Sequence, residues 1–349
     1  MQFASDNTGP VHPRVLDALV RANEGYAPGY GADELTRAAT ARLRAVFEAP
    51  EAAVCLVATG TAANALSLAT LADPWSAVFC SRSAHVQEDE CGAPEFFTGG
   101  AKLVPVDGEG GRMDAGALRA AILAEERRGV HGVQRGPVTI SEATEWGTIY
   151  GPDQVAAIAA VARDFGLPLH MDGARFANAL VRAGCSPAEL TWKAGVDVLS
   201  FGGTKNGLMG VEAVILFDPQ RAREFELRRK RGGHLFSKHR FLAAQMAAYL
   251  HDDLWLDLAR RANRAADRLA EGLVATGQAE LVHPAEANMI FAHWPRRVHR
   301  TLFAAGAQYY LWEGTLDGGP EEAPLTARLV CDWSSPPDAA DRFLAQFGS

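Results

Sequence analysis

The run VDVLSFGGTKNGLMGVEAVILF at residues 196–217 decides the fold, because it places a glycine-rich turn between two apolar segments. The flanking segments 196–201 and 211–217 are rich in Val, Leu and Ile, which predicts two buried strands. Further apolar segments of the same kind precede them at 52–58, 76–80, 101–106, 137–140 and 167–172. Helical patterns lie between several of these strands, which favours βαβ units around a mostly parallel, buried sheet.

Two of the intervening segments carry clear helical periodicity. In residues 154–165 the apolar side chains follow the i, i+3, i+4 spacing of an amphipathic helix. In residues 113–128, Asp114 is a candidate N-cap for a helix with Leu118 and Ile122 on one face. The alternation of strands and helices predicts an α/β fold class.

The pattern changes after about residue 240. Residues 240–275 predict a long helix, and short strands are predicted at 288–292 and 327–331. The polar stretch GTLDGGPEEAP at 314–324 predicts a loop. A chain of 349 residues corresponds to about two domains. We therefore predict a large domain with a mostly parallel sheet at 1–240 and a small α+β domain at 241–349.

Composition and charge exclude several classes of protein. Hydrophobic residues make up 48% of the chain and charged residues 22%, which is typical of a globular protein and argues against disorder or a coiled coil. The formal net charge of −8 argues against a broadly basic surface, so no nucleic-acid partner is expected. The sequence has no run of 18 apolar residues and no secretory signal, so neither a membrane partner nor export is expected.

The cysteines are widely spaced and form no CxxC pair: Cys55, Cys80, Cys91, Cys185 and Cys331. This spacing argues against a disulfide framework and against a zinc site, and no ligand cluster in the sequence indicates another metal. Isolated thiols in a reducing compartment are the favoured interpretation. We therefore expect a cytoplasmic protein without a bound metal.

The turn FGGTKNG at 201–207 places Lys205 at the end of a predicted strand. Glycines let a backbone approach a ligand closely, and parallel α/β sheets bind ligands at the carboxyl ends of their strands. Taken alone, the motif favours a lysine in a surface loop over a ligand site.

Two other strand ends carry residues that complement Lys205. Asp172 in HMDGAR (170–175) follows an apolar run, and Gly60 and Thr61 in ATGTAAN (58–64) open a predicted helix. Pyridoxal phosphate requires a Schiff-base lysine, a carboxylate for its pyridine nitrogen and donors for its phosphate. Taken alone, Asp172 could cap a helix and Thr61 could belong to an ordinary turn. The three together predict a pyridoxal phosphate site.

These motifs resemble those of the threonine aldolases, a group of pyridoxal phosphate enzymes in the β-eliminating lyase superfamily. The resemblance covers nearly the whole chain and rests, in order, on SDNTG (5–9), APGYGAD (27–33), TGTAAN (59–64), SAHVQEDECGAP (83–94), SEATEWG (141–147), HMDGAR (170–175), FGGTKNG (201–207) and ARLVCDW (327–333). It implies the aspartate-aminotransferase-like fold of pyridoxal phosphate fold type I. It also implies a homotetramer, a dimer of dimers with shared active sites.

The resemblance implies roles toward the cofactor for several residues. Lys205 would form the Schiff base, and Asp172 would pair with the pyridine nitrogen. His85 would stack on the pyridine ring, although a purely structural histidine is the alternative there. Arg175 would lie near the cofactor O3′ and the substrate carboxylate. The phosphate would be held by Gly60, Thr61 and Thr204.

The resemblance also implies substrate contacts. Ser5 and Arg328 would bind the substrate carboxylate, Arg328 through a two-pronged charge-assisted pair. An arginine inside an apolar strand pattern needs an anion, which favours this role. Tyr30 would reach the site from a neighbouring subunit, and Lys230 in RRKRGG (228–233) would contact the phosphate. The alternatives are a solvated Ser5, a Tyr30 packed over its own turn and a Lys230 in a solvated charge run.

The catalytic base is not fixed by the sequence. Many threonine aldolases of low specificity have histidine where this chain has Glu145, followed by Trp146, so the chain departs from the pattern here. We predict His85 as the base for the β-hydroxyl of the substrate, with Glu90 or Glu145 acting through a water molecule.

The expected activity is the reversible cleavage of L-threonine or L-allo-threonine, and of related β-hydroxy amino acids such as phenylserine, to glycine and an aldehyde. The expected partner is therefore a small amino acid. A β-eliminating lyase or an aminotransferase is the alternative within pyridoxal phosphate chemistry, because both need the same lysine and aspartate. A scaffold or regulator without catalysis is the non-enzymatic alternative, which Lys205, Asp172 and Arg328 argue against.

Overall fold

A seven-stranded sheet lies at the centre of the computed structural model, which describes residues 1–348. Its strands are β1 (Ala53–Val57), β2 (Ser76–Ser81), β3 (Lys102–Val106), β4 (Gln134–Ser141), β5 (Leu169–Gly173), β6 (Val198–Gly202) and β7 (Glu212–Leu216). They lie in the order β1-β7-β6-β5-β4-β2-β3. Strand β7 runs antiparallel to β1 and β6, and the other pairs are parallel. This confirms the predicted strands and the mostly parallel sheet.

Helices cover both faces of this sheet and continue into the second half of the chain. They are α1 (Pro13–Ala22), α2 (Glu34–Val46), α3 (Gly60–Leu71), α4 (His85–Glu88), α5 (Ala93–Thr98), α6 (Ala115–Glu126), α7 (Pro152–Asp164), α8 (Phe176–Ala183), α9 (Pro187–Leu190), α10 (Ala222–Arg231), α11 (Arg240–Leu250), α12 (Leu254–Ala275), α13 (Arg296–Ala304) and α14 (Ala339–Leu344). Asp114 caps α6 as predicted, because its Oδ1 accepts the backbone N–H of Ala117 at 2.8 Å.

The single helix predicted over 240–275 is wrong, because the chain breaks it between α11 and α12. A short 3₁₀ turn at His251–Asp253 separates the two helices, and Asp252 and Asp253 both have φ of 51°. Aspartate is one of the few residues that tolerate this left-handed conformation. The apolar periodicity continues on both sides of the break, so the pattern of hydrophobic residues does not reveal it.

A second sheet of four antiparallel strands follows. It consists of β8 (Glu280–Leu281), β9 (Met289–Pro295), β10 (Tyr310–Glu313) and β11 (Pro324–Val330), in the order β10-β11-β9-β8. The strands predicted at 288–292 and 327–331 are confirmed as β9 and β11. Strands β8 and β10 are too short to give a periodic signal. The predicted loop at 314–324 connects β10 to β11, which begins at Pro324.

Two main hydrophobic cores stabilise the two sheets, and α12 contributes to both. Its residues up to Ala259 pack into the core of the large sheet, and those from Ala266 onward pack into the core of the small sheet. Helix α11 belongs wholly to the large core. The domain boundary at residue 240 stays a prediction, and Ser349, the last residue of the predicted small domain, lies outside the described residues.

The N-terminal segment crosses from one sheet to the other. Phe3 is buried in the core of the small sheet, and its backbone bonds to Gln308 and Val330 at 2.8 Å each. The chain then turns at Asp6–Thr8 and enters α1 beside the large sheet. This path brings Ser5 and Asp6 to the space between the sheets. Among residues 1–348, no helix has both the length and the apolar character needed to cross a membrane.

Candidate active site

A cavity of about 740 Å³ opens at the carboxyl ends of the parallel strands, against the small sheet. Six residues singled out from the sequence line it: Ser5, His85, Glu145, Arg175, Lys205 and Arg328. A larger cavity of about 1070 Å³ lies at the opposite ends of the strands, but it contains none of the predicted site residues. The cavity at the carboxyl ends is therefore the candidate active site.

Lys205 lies in a short 3₁₀ turn, Thr204–Asn206, directly after β6. Glycines bracket the turn, and Gly207 has a φ of 94°, a conformation that few other residues adopt. Burial and the neighbouring charge of Arg175 lower the pKa of Lys205, which favours the neutral amine that acts as a nucleophile.

Asp172 is the penultimate residue of β5 and pairs with Ser200 of β6, so it lies at the same sheet edge as Lys205. Its side chain is buried and accepts two hydrogen bonds, from Ala174 N–H at 3.0 Å and from Asn64 Nδ2 at 2.8 Å. Asn64 is a site residue that the sequence did not reveal. Asn64 lies within the motif TGTAAN (59–64). A polar residue on an otherwise apolar helix face was the signal that could have indicated its role.

The predicted phosphate turn lies at the N-terminus of α3. Thr59 caps this helix by accepting the N–H of Ala62 at 3.2 Å, and Gly60 and Thr61 form the first turn. A Cβ placed on Gly60 would meet no atom within 4 Å, so the backbone there is open to a ligand. These residues and Thr204 lie at the same sheet edge but do not line the cavity. The free N–H groups of a helix start suit a phosphate.

His85 starts α4, directly after β2. Its ring Nδ1 lies 2.9 Å from Glu90 Oε1, and its backbone N–H donates to Glu145 Oε1 at 2.7 Å. The hydrogen bond to Glu90 raises the pKa of His85. No residue in the described chain bonds to its Nε2, and the ring is about one-third exposed. The carboxylate at Nδ1 fixes the tautomer that leaves a lone pair on Nε2.

The two candidate carboxylates take different positions around His85. Glu90 is fully buried behind the ring and does not line the cavity, whereas Glu145 does. Glu145 Oε1 also accepts a hydrogen bond from the Ser141 hydroxyl at 2.7 Å, while its buried Oε2 has no partner in the part of the chain that the structure describes. Burial raises the pKa of Glu145 to about 6 and raises that of Glu90 as well. Both carboxyls are therefore in environments that favour uptake of a proton.

One atom each of His85, Glu90 and Asp172 lie within 4.8 Å of one another, a spacing that also occurs in metal sites. Here the contacts are hydrogen bonds: Asn64 donates to both carboxylates and the His85 ring lies against Glu90. The sequence-based expectation that no metal binds stays a prediction.

Arg175 does not present a free guanidinium. Its Nε and Nη2 lie 2.7 and 2.9 Å from the two carboxylate oxygens of Asp6, and this pair is almost wholly buried. Asn288 Nδ2 also donates to Asp6 at 3.1 Å. Arg175 still lines the cavity, so its predicted place near the cofactor and the substrate stays a prediction. Asp6 lies in a quoted motif, but nothing in the sequence marked it as buried.

Arg328 projects from β11 into the same cavity. Its Nη2 donates to the Ala4 carbonyl at 3.3 Å, while its buried Nε has no partner among residues 1–348. Its guanidinium lies 5.3 Å from the ring centre of Tyr310 and 5.7 Å from that of Trp312. A partly buried arginine with an unpaired N–H needs an anion, and Ser5 lines the cavity as a further polar contact.

An aromatic wall, formed by Trp146, Phe291 and Trp312, closes one side of the cavity. The ring centres lie 5.1 to 5.4 Å apart in all three pairs. Trp146 and Trp312 line the cavity together with Met289. In the sequence, Trp146 stands out only as the neighbour of Glu145, and Phe291 and Trp312 are not marked by any motif. They come from β9 and β10 of the small sheet, far away along the chain.

Tyr30 and Lys230 do not reach this cavity within one chain. Both are exposed, and Lys230 Nζ lies 4.8 Å from the centre of the Tyr30 ring. Tyr30 has a φ of 58° and donates its backbone N–H to the Ser237 carbonyl at 2.9 Å. The two predicted residues therefore form one exposed pair, and their role in a neighbouring subunit stays a prediction.

Several known proteins are similar to this chain in sequence and in architecture. The β-eliminating lyase family matches residues 2–295 of the chain. Two low specificity L-threonine aldolases are similar over 334 residues, 96% of this chain and 93% of theirs: that of Pseudomonas aeruginosa is 44% identical and that of a Pseudomonas species 42%. The solved threonine aldolase of Leishmania major superposes with a TM-score of 0.92 and 28% identity, covering 99% of this chain and 98% of that one.

These comparisons agree with the geometry of the site. They confirm the α/β fold expected from the resemblance, a large mostly parallel sheet joined to a small α+β domain, because the likeness to the solved structure extends through both sheets. They also confirm the resemblance itself, which rested on short motifs spread along the whole chain. The chain belongs to the β-eliminating lyase family, within its group of threonine aldolases.

Proposed function

We propose that this protein is a pyridoxal phosphate-dependent aldolase that cleaves L-threonine and L-allo-threonine to glycine and acetaldehyde. The observation that carries the proposal is the unpaired Nε of Arg328, which lies in one cavity with Lys205. A site that combines a nucleophilic amine with a guanidinium that is not paired with a carboxylate is suited to an amino acid. The sequence similarity to low specificity L-threonine aldolases supports this choice over a β-eliminating lyase or an aminotransferase.

The residues present fit the cofactor. Lys205 would bind pyridoxal phosphate covalently, Asp172 would face its ring nitrogen and His85 its ring plane. The open backbone of Gly60, with Thr61 and Thr204, would hold the phosphate. When bound, the cofactor supplies an electron sink for the carbanion left at the substrate Cα after bond cleavage.

The substrate carboxylate would bind between Arg328 and Ser5. A charge-assisted pair with a planar guanidinium fixes orientation as well as position. The orientation of the substrate would decide which bond at Cα is presented for cleavage. Arg328 therefore selects cleavage between Cα and Cβ. Arg175, held by Asp6, provides a fixed positive charge beside this position.

His85 is the proposed base for the β-hydroxyl. Its Nε2 has no partner in the described chain, and Glu90 holds the other ring nitrogen. This arrangement lets the ring take a proton at Nε2 while Glu90 stabilises the resulting charge. Glu145 anchors the backbone N–H of His85, and its unpaired Oε2 could act through a water molecule. Glu90 is thus a positioning residue in this proposal, because it does not line the cavity.

The aromatic wall extends the proposed substrate range to larger β-substituents such as the phenyl group of phenylserine. The methyl group of threonine is too small to cover the two indoles and Met289, whereas a phenyl ring can pack edge-to-face against them. The aromatic wall therefore favours aromatic β-hydroxy amino acids as additional substrates.

The proposed assembly is a homotetramer of two dimers with shared active sites, and the proposed location is the cytoplasm. The exposed pair of Tyr30 and Lys230 supports a shared site, since an ammonium group held over an exposed tyrosine ring is available to a phosphate of a neighbouring subunit. The five cysteines are all unpaired, as is usual for proteins in a reducing compartment.

The direct test is aldehyde release by the purified enzyme, with pyridoxal phosphate added or omitted, from both L-threonine diastereomers. The expected products are acetaldehyde and glycine. Pyruvate and ammonia from serine instead would support the lyase alternative and contradict the aldolase. Lys205→Ala should lose activity by several orders of magnitude, whereas Lys102→Ala, at an exposed position, should behave as the wild type.

A further inference from the structure

Asn64 connects the two ends of the site through one amide group. Its Nδ2 donates to Glu90 Oε1 at 2.9 Å and to Asp172 Oδ2 at 2.8 Å. Glu90 Oε1 in turn lies 2.9 Å from His85 Nδ1. A continuous chain of hydrogen bonds therefore runs from His85 to Asp172. Asn64, Glu90 and Asp172 are 2%, 4% and 6% exposed, so water hardly competes for these contacts.

The chemistry of an amide determines what this chain of hydrogen bonds can transmit. An amide nitrogen has two hydrogens, and here one goes to each carboxylate, so the donor is fully used. Rotating the amide by half a turn would place its oxygen against two carboxylates. These acceptors repel one another, so the orientation of the amide is fixed. An amide nitrogen does not exchange protons readily, so Asn64 interrupts any proton transfer between Glu90 and Asp172. What it transmits is electrostatic, because it holds two negative groups close together in a medium of low dielectric.

We propose that Asn64 is a positioning residue that holds the carboxyl groups of Glu90 and Asp172 side by side, and thereby couples the charge on His85 to the charge that Asp172 faces. The inference rests on the proposed function, in which Asp172 faces the ring nitrogen of the cofactor. His85 at one end of these hydrogen bonds then responds to the cofactor at the other end, although no hydrogen bond among the described residues joins His85 to Asp172 directly.

The charged groups that face His85 are Glu90, Asp172, Glu145 and Lys205. The bond to Glu90 and the charge of Asp172 raise the pKa of His85, while burial and Lys205 lower it. Without the Asn64 donor, two adjacent buried carboxyls lose the hydrogen bonds that compensate their repulsion. Glu90, whose pKa burial already raises, then takes up a proton, and His85 loses its anionic partner.

The test is Asn64→Leu, which keeps the shape of the side chain and removes both donors. The imidazole of His85 is titrated by NMR on histidine-labelled protein, once without cofactor and once with pyridoxal phosphate bound. In the variant, the proton affinity of His85 should fall on the order of tenfold. The difference in proton affinity of His85 between the protein with and without cofactor should also become smaller. The dissociation constant for pyridoxal phosphate, measured by its absorbance, should rise.

Asn178→Leu is the matched control, because Asn178 is equally buried and bonds to Asn263 away from the cavity. It should lower stability and leave the titration of His85 unchanged. If Asn64→Leu does not fold, Glu90→Gln provides the second variant. It keeps the shape and removes the charge, so the proton affinity of His85 should fall with Asn64 in place.

An unchanged His85 titration in either variant would overturn the proposal and reduce Asn64 to a structural residue. The titration without cofactor does not depend on aldol cleavage. A wild-type enzyme that released no acetaldehyde would therefore refute the proposed function, while the effect of Asn64→Leu on His85 would still be measured on its own.

Discussion

Asp6 and Arg175, 169 residues apart in the chain, form a two-pronged ion pair with contacts of 2.7 and 2.9 Å beneath the candidate active site. The pair joins the N-terminal segment, which is anchored in the small sheet, to the start of α8 in the large domain. Removing the charge of one partner of a buried ion pair leaves the charge of the other partner uncompensated. Asp6→Asn should therefore lower the free energy of unfolding by about 3–5 kcal/mol, measured by urea denaturation.

Asp107→Asn is the control for this variant. Asp107 pairs with Arg82 at the surface, and the loss of such a pair changes the free energy of unfolding by at most about 1 kcal/mol. Equal losses of unfolding free energy in the two variants would show that the buried pair contributes no more to stability than an exposed pair.

The same pair predicts a pH dependence of stability. Burial acts to raise the pKa of Asp6, but the charge and hydrogen bonds of Arg175 outweigh burial and lower it. Because the folded pKa lies below the unfolded value of about 3.9, the stabilisation is fully present above that pH and is lost as the pH falls through the folded pKa. The difference in unfolding free energy between wild type and Asp6→Asn should be constant at neutral pH and shrink below about pH 4. A difference that grew on acidification would contradict the assignment.

Arg328→Lys should impair substrate binding, because lysine cannot reproduce the planar, two-pronged contact with a carboxylate. A hydrogen bond to a charged group contributes roughly 1.5–3 kcal/mol, so KM for L-threonine should rise about ten- to a hundredfold. Steady-state kinetics of acetaldehyde release give this value. Arg300→Lys, on the exposed side of α13, should leave KM unchanged. A normal KM in Arg328→Lys would remove Arg328 from the carboxylate site.

The aromatic wall predicts a change in substrate preference. Trp312→Ala should reduce kcat/KM for phenylserine on the order of tenfold more than for L-threonine, because only the phenyl ring fills the space beside the indole. The exposed Trp75 supplies the control, since Trp75→Ala should leave the ratio unchanged. A parallel loss of both activities in Trp312→Ala would indicate a general structural defect instead of a specificity contact.

Shared active sites predict complementation between inactive variants. Lys205→Ala lacks the cofactor lysine, and the double variant Tyr30→Ala, Lys230→Ala lacks the exposed pair. In a mixed dimer, one site carries both defects and the other carries none. Refolding the two variants together in equal amounts should therefore restore up to about a quarter of the wild-type activity. Without restoration, Tyr30 and Lys230 would have to act within their own chain or not at all.

Local sequence patterns predicted the large sheet and the residues at its edge. Strands such as 196–201 and 211–217 are buried on both faces, so they stand out as continuous apolar runs. Lys205 and Asp172 follow such runs directly, which placed them at strand ends. These features depend only on neighbouring residues, which is why a single sequence reveals them.

The rest of the site depends on contacts that a linear pattern does not contain. Asp6, Asn64 and Trp312 reach the site through the crossing of the N-terminal segment, the packing of α3 on the sheet and the approach of β10. Asp6 and Asn64 lie inside the motifs SDNTG and TGTAAN, but these motifs do not show which distant side chains the two residues contact. The break between α11 and α12 was missed for a related reason, since two aspartates in an unusual backbone conformation leave the apolar period intact.

Helix α12 limits how the substrate cavity can open. Its 22 residues run without interruption from the core of the large sheet to that of the small sheet. A hinge requires a short segment free to change its backbone angles, and a helix packed at both ends offers none there. The small sheet therefore cannot swing away about this connection. The continuous helix therefore fixes the wall that carries Arg328 relative to the wall that carries Lys205, and substrate enters a cavity whose two sides keep their spacing.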